Sequence, residues 1–207
     1  MTETIFLSPQ QLASAAALLR EGGVVVFPTD TVYGLAALAQ NTGAVAALFR
    51  AKQRPHDRAI PVMVSVPERA QEIAALRPGF SELARAFWPG PLTIILPKRD
   101  VLPAIVTAGG DTVALRIPDH PLALALLRLV DAPLAVTSAN LSGRLPARTA
   151  AEARAQLDGR VDAIIDGGPA PGGQPSTIVD LSLSPPQILR TGPIREAQIM
   201  ALLRHST

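Results

Sequence analysis

The sequence has 207 residues and no cysteine, which excludes disulfides, thiolate nucleophiles and zinc–thiolate sites. A chain of this length buries about 70% of the surface it would expose unfolded, and with 48% hydrophobic but only 3% aromatic residues its core must be aliphatic. The net charge of +2 is too small to mark a nucleic-acid binder.

The positive charge is nearly all arginine, Lys52 and Lys98 being the only lysines. Arginine suits phosphate and carboxylate recognition because its planar fork donates two bonds at once. Met1 to Ser8 lacks a basic stretch followed by an apolar core, and no run of about 18 apolar residues occurs. Neither a signal peptide nor a membrane span is expected, and the cytoplasm is the expected compartment.

Ser8-Pro9-Gln10-Gln11 predicts a helix start, with a Ser cap, Pro at the first position and Gln three after the cap. That helix should end near Arg20, stopped by Gly22 and Gly23. Val24 to Phe27 is wholly apolar and predicts a buried strand. A loop from Pro28 to Gly34 and a helix from Thr42 to about Ala51 follow. Ile60 to Val64 predicts a strand, and helical segments fall around Pro67 to Ala75 and Ser81 to Phe87.

Trp88-Pro89-Gly90-Pro91 is a rigid turn delivering a strand from Leu92 to Leu96. Thr112 to Ile117 predicts a strand, Asp119 to Leu129 a helix, and Leu134 to Thr137 a strand opening into the polar loop Ser138 to Arg148. Thr149-Ala150-Ala151-Glu152 is a capping box for a helix to Leu157. Strands at Ala163 to Ile165, Thr177 to Leu181 and Ile188 to Arg190, then a helix from about Arg195 to Leu203, complete the pattern. The Gly/Pro-rich stretch Gly167 to Pro175 is short for a domain boundary and reads as an active-site loop. The alternation predicts one α/β domain over residues 1–207, with a mixed sheet.

Polar residues gather at predicted strand ends, where open α/β sheets place ligands. Thr29, Thr31 and Tyr33 offer hydroxyls, although a plain Thr/Asp turn has the same composition. Lys52, Arg54 and Arg58 lie within seven positions, enough to grip a triphosphate or to form a solvated basic helix end. Thr112, Ala114 and Arg116 share one strand face, and the arginine there needs either an anionic ligand or a buried ion-pair partner. Ser138 to Gly143 fits a phosphate or ribose cradle as well as an ordinary turn.

No Walker loop, dinucleotide fingerprint or nucleophile elbow is present. His56, His120 and His205 lack metal-ligand spacing, so no metal site is expected. The residues alone lead to an anion-binding α/β protein that uses a nucleotide and works by positioning and charge neutralisation.

Seven strings in order carry more. They are Phe27 to Leu35, Lys52 to Pro55, Trp88 to Thr93, Val113 to Pro118, Ser138 to Gly143, Pro175 to Asp180 and Leu189 to Gly192. Together they resemble the YrdC-like family of threonylcarbamoyl-AMP synthases, over roughly Ser8 to Met200. The resemblance implies a twisted mixed sheet flanked by helices, with a deep basic cavity, in the short single-domain form.

It also implies an enzyme of the nucleotidyltransferase kind. L-threonine, bicarbonate and ATP would yield threonylcarbamoyl-AMP and pyrophosphate, with Mg2+ assisting. A separate tRNA threonylcarbamoyl transferase would then modify adenosine 37 of tRNA. By the same resemblance Thr31, Arg116 and Ser176 contact threonine, and Lys52 and Arg54 form the catalytic cationic pair on the triphosphate. Arg58, Thr112, Ser138, Asn140 and Arg190 fall at or beside nucleotide contacts.

Arg58, Met63 and Pro146 depart from the residues common in the family, at Asn, His and Ser positions respectively. Those departures favour, as an alternative, a paralogue without synthase activity. A weak RNA-binding module and a carbamoyl-phosphate-using relative are the other rivals, the former short of aromatics for base stacking.

Overall fold

The computed structural model describes residues 3–204; His205 lies outside the described residues. Among the described residues, ten strands form one mixed sheet in the order β1-β8-β2-β3-β7-β4-β6-β5-β9-β10. The strands are β1 (Ile5–Leu7), β2 (Val25–Phe27), β3 (Gly34–Leu38), β4 (Val62–Met63), β5 (Leu92–Pro97), β6 (Thr112–Arg116), β7 (Leu134–Ser138), β8 (Ala163–Ile165), β9 (Thr177–Asp180) and β10 (Gln187–Arg190). The helices are α1 (Leu12–Arg20), α2 (Thr42–Lys52), α3 (Ala70–Ile73), α4 (Phe80–Phe87), α5 (Ala104–Thr107), α6 (Pro121–Val130), α7 (Ala150–Leu157) and α8 (Glu196–Leu203). Short 3-10 turns at Pro9–Gln11 and Pro67–Arg69 lead into α1 and α3.

Alternation sorts the side chains into two cores. Val25, Phe27, Ala36 and Val136 face a layer made by α1 and α6, while Val26, Leu35 and Ala37 face Val45, Leu48 and Phe49 of α2. The predicted cap at Thr149 forms, its Oγ1 accepting from Glu152 N at 3.1 Å to open α7, and Asn41 Oδ1, which was not predicted as a cap, accepts from Ala44 N at 3.0 Å to open α2. The carboxylate of Glu152 reaches back one residue further than the box predicts, accepting from Arg148 N at 2.7 Å.

Three elements differ from expectation. Leu7 of β1 is buried and its strand pairs in parallel with β8, although the sequence there has no turn signal. The short helix α5 was not predicted. Strand β3, Gly-Leu-Ala-Ala-Leu, has too few β-branched residues to read as a strand. It forms because it lies between β2 and β7, antiparallel to both, where small residues let neighbours approach.

Gly34 shows that closeness: a Cβ added there would sit 2.9 Å from Val136 Cγ1. We therefore expect Gly34→Ala to destabilise the fold by about 1–3 kcal/mol in urea denaturation. Val136→Ala in the same chain should recover part of that loss. A neutral Gly34→Ala would show that β3 and β7 have slack.

Candidate active site

The sheet's register builds one wall of a cleft. Met63 pairs with Leu134 on one side and with Arg116 on the other. Thr93 falls opposite Arg116, one step along from the Ile94↔Leu115 pair. Thr93 pairs in turn with Ile178, and Ile178 with Arg190. Residues aligned across neighbouring strands share a face, so Met63, Arg116, Thr93, Ile178 and Arg190 form a row on the same side of the sheet.

Arg190 reaches that row through a bulge. Ile188 pairs with Val179 and Arg190 with Ile178, leaving Leu189 extra and 54% exposed. In regular pairing Leu189 would stand opposite Ile178 and the arginine would turn to the other face.

Above this row lies a cavity of about 310 Å³, lined by Thr29, Thr31, Arg54, Arg116, Ser138, Ser176 and Arg190 together with Thr93, Met63 and Val136. Among the described residues no carboxylate lines it. The loop after β2 supplies the threonines. Thr29 Oγ1 donates to Val32 O at 2.6 Å and lies 3.0 Å from Thr31 Oγ1. With Thr29's one hydroxyl proton used on Val32, the hydroxyl of Thr31 donates to Thr29.

Arg116 is the most constrained cation of the site, 5% exposed. Its Nε donates to Gly90 O at 2.9 Å, Nη1 to Thr31 Oγ1 at 3.0 Å and Nη2 to Asp30 Oδ1 at 2.5 Å. Three of five N–H donors are used, leaving two without a protein partner among the described residues. Burial pushes its pKa down, and Asp30 pulls it back up.

Arg190 donates from Nε to Ser176 O at 2.8 Å and from Nη2 to Ser176 Oγ at 3.1 Å, while Ser176 Oγ lies 2.8 Å from Thr93 Oγ1. Burial lowers the pKa of Arg190, and the charge of Arg116 lowers it further. Arg54 is held by the carbonyls of Arg58 and Ala59 at 3.3 and 2.9 Å. Its pKa is lowered by burial and then by Arg58. Three guanidinium groups thus crowd a space whose lining offers no negative charge.

The Gly/Pro-rich stretch is strapped over the threonine loop, and its last residue, Pro175, lines the cavity. Tyr33 Oη donates to Gly168 O at 2.6 Å, and Gly173 N to Thr31 O at 2.6 Å. Burial pushes the Tyr33 phenol up to about 12, so it remains a hydrogen-bond donor at neutral pH.

Of the residues predicted from sequence, Thr31, Arg54, Arg116, Ser138, Ser176 and Arg190 meet at the cavity. Lys52, Arg58, Thr112 and Asn140 do not line it. Arg58 is exposed, and Thr112 opens β6 four residues before Arg116, roughly 13 Å away along the strand.

Lys52 is 2% exposed, and its Nζ donates to Ser138 O, to Asn140 O at 2.6 Å and to Asn140 Oδ1 at 3.4 Å. Burial, and then the charge of Arg54, push its ammonium down to about 7. Asp30, Thr93 and the Gly90 carbonyl were given no role by the sequence. The signal available was Arg116 itself, a buried cation that required acceptors.

A profile of the family described as "Telomere recombination" (Sua5, yciO, yrdC) matches residues 17–192. The chain belongs to that family. It is similar to the threonylcarbamoyl-AMP synthase of Bacillus subtilis, 47% identical over 206 residues, covering 98% of this chain and 59% of the relative. The threonylcarbamoyl-AMP synthase of Pyrococcus abyssi is 43% identical over 187 residues, covering 89% of this chain and 55% of the relative. The crystal structure of P. abyssi Sua5 complexed with L-threonine superposes with a TM-score of 0.92 at 40% identity, covering 98% of this chain and 61% of that one. The chain thus spans little more than half the length of these relatives.

Two predictions follow from the geometry. Asp30→Ala should cost about 3–5 kcal/mol, because it leaves a buried guanidinium short of its counter-charge. Adding Arg116→Met should cost less than the sum of the two single changes in a denaturant double-mutant cycle, whereas strict additivity would show the pair to be uncoupled.

The second concerns pH. The unfolded chain holds the Lys52 proton with its ordinary pKa of 10.5, while the folded protein lets it go near 7. Between those values the unfolded state binds more protons, so stability should rise with pH. Lys52→Met should flatten that rise, read by denaturation between about pH 7 and 9.5, below the range in which Tyr33 titrates. Equal slopes would show that the ammonium is not depressed.

Proposed function

We propose that this chain makes threonylcarbamoyl-adenylate and pyrophosphate from L-threonine, bicarbonate and ATP. The observation that carries this reading is the cavity lined by Arg54, Arg116 and Arg190 without a carboxylate. Such a space favours a multiply anionic guest, and serine and threonine hydroxyls beside the arginines suit a small polar amino acid. The relatives' names and the L-threonine bound to the P. abyssi protein support the same substrates.

Arg116 has two free N–H donors and a neighbouring Thr31 hydroxyl, a pairing suited to an amino acid carboxylate. Bicarbonate takes up a proton and loses water to give CO2, which the threonine amine captures with loss of a proton, giving a carbamate. A carbamate oxygen then attacks the α-phosphorus, forming a P–O bond as the bond to pyrophosphate breaks. Arg54 and Arg190 neutralise the charge that builds on the departing oxygens, and holding threonine in line with the phosphorus supplies much of the rate. Ser176, fixed by Thr93 and Arg190, borders the amino acid, and Ser138 borders the nucleotide. Arg58, Thr112 and Asn140 are proposed as outer nucleotide contacts on the resemblance alone.

Asp30 is already engaged by Arg116, and no group of three or more His, Cys, Asp or Glu fit for a metal occurs among the described residues. This donor set does not make a resident Mg2+ site. Mg2+ is proposed to enter with the ATP phosphates, as part of the substrate.

The reactive mixed anhydride would pass to a tRNA-modifying transferase in the cytoplasm. Among the described residues no helix is long and apolar enough to cross a membrane. Tyr33 and Trp88 are buried and donate to Gly168 O and Leu92 O, so neither is free to stack on bases, which argues against an RNA-binding module.

The test is pyrophosphate release by the purified protein with Mg-ATP. Release should require both threonine and bicarbonate. Arg54→Ala should lower kcat by about 10²–10³-fold, and Arg116→Ala should raise the KM for threonine most. Release independent of threonine, or none from a folded protein that binds ATP, would overturn the proposal.

A further inference from the structure

Two cations two residues apart at the end of α2 go to different places. The helix closes with Gln53 in the left-handed region at φ 51°, its N–H donating to Arg50 O while Arg54 N donates to Phe49 O at 3.0 Å. This tight reversal sends Arg54 to the cavity and leaves Lys52, the last helical residue, pointing into the protein.

The ammonium of Lys52 has three N–H donors, and three oxygens meet it: Ser138 O, Asn140 O and Asn140 Oδ1. The main chain of Lys52 grips the same loop, its carbonyl accepting from Ser142 N at 2.9 Å. Asn140 extends the hold, its Nδ2 donating to Leu141 O at 2.8 Å and Arg144 O at 2.9 Å. Residues 138–144 are therefore organised from behind by one lysine, while Thr137 and Ser138 form cavity wall.

We infer that Lys52 is a positioning residue for the reaction proposed above: it clamps the Ser138–Asn140 loop and shapes the cavity through Ser138, without itself touching the triphosphate. The inference rests on that reading for its nucleotide, and on geometry alone for the clamp. With all three donors engaged, the ammonium could reach a phosphate only by releasing the loop. Sharing a short sequence motif with Arg54 is therefore no sign of sharing its ligand.

The experiment compares AMP and ATP affinity by calorimetry in wild type, Lys52→Met and Lys52→Arg, and follows amide hydrogen exchange of residues 138–144 without ligand. A clamp predicts that Lys52→Met weakens AMP and ATP by the same factor, on the order of tenfold, because the loop and not the phosphate tail is disturbed. It predicts faster exchange at Asn140 and Ser142, with Lys52→Arg recovering part of both effects. Weakening of ATP with AMP unchanged would make Lys52 a direct phosphate ligand and overturn the inference. So would unchanged exchange in folded Lys52→Met, or unchanged affinity for both nucleotides. If Lys52→Met does not fold, Lys52→Arg decides by the same ATP-to-AMP comparison. Wild type that binds neither nucleotide would refute the proposed function instead, and exchange alone would then judge the clamp.

Discussion

In a β-sheet each residue belongs to one face, and a slip of one position sends a side chain to the other. The site depends on that constraint. Met63, Arg116, Thr93, Ile178 and Arg190 come from five strands separated in sequence by up to 127 positions, yet register alone aligns them across one face. The bulge at Leu189 belongs to the same logic. It costs a ladder position on the edge strand β10 and places an exposed leucine there, and in return Arg190 stands with the row.

Once Arg116 is on that face it must be satisfied, because an unpaired guanidinium in a buried position costs several kcal/mol. Its three acceptors come from two parts of the chain: Gly90 from the turn before β5, Thr31 and Asp30 from the loop after β2. One cation thereby locks two loops against the sheet. The Gly90 turn has little freedom to relax, since a Cβ at Gly90 would lie 2.5 Å from Phe87 O. The arrangement is rigid where an amino acid carboxylate would bind, and its spare donors are aimed by contacts made before any ligand arrives.

The larger outline was readable in the sequence because it rests on local signals. The capping residue Thr149, the apolar runs at β2 and β8, and the turn before β5 carry their conformations in their composition. Strand β3 was not readable. Its alanines and Gly34 are chosen by the distance to β7, which is a tertiary fact. The same divide runs through the site. Arg116 was visible as a cation on an apolar strand, but its partner Asp30 was indistinguishable from any turn aspartate. The strings around Lys52 and Arg54 marked a basic cluster correctly, while the divergence of the two side chains depends on one left-handed residue, Gln53, whose identity gives no such signal.

Charge accounting connects these points to chemistry. Among the described residues four guanidinium groups, Arg54, Arg58, Arg116 and Arg190, stand in or near the cleft, and Asp30 is the one carboxylate that contacts any of the three lining it. Burial, and then the charge of a neighbouring arginine, lowers the pKa of Arg54 beside Arg58 and of Arg190 beside Arg116. In the proposed reaction a triphosphate would offset the crowding of these cations, and pyrophosphate leaving a site so charged would need no covalent nucleophile on the protein. Lys52 fits this economy best outside the cavity. A fourth cation there would add to the repulsion, whereas behind the wall its N–H groups are taken up by the Ser138 and Asn140 carbonyl oxygens.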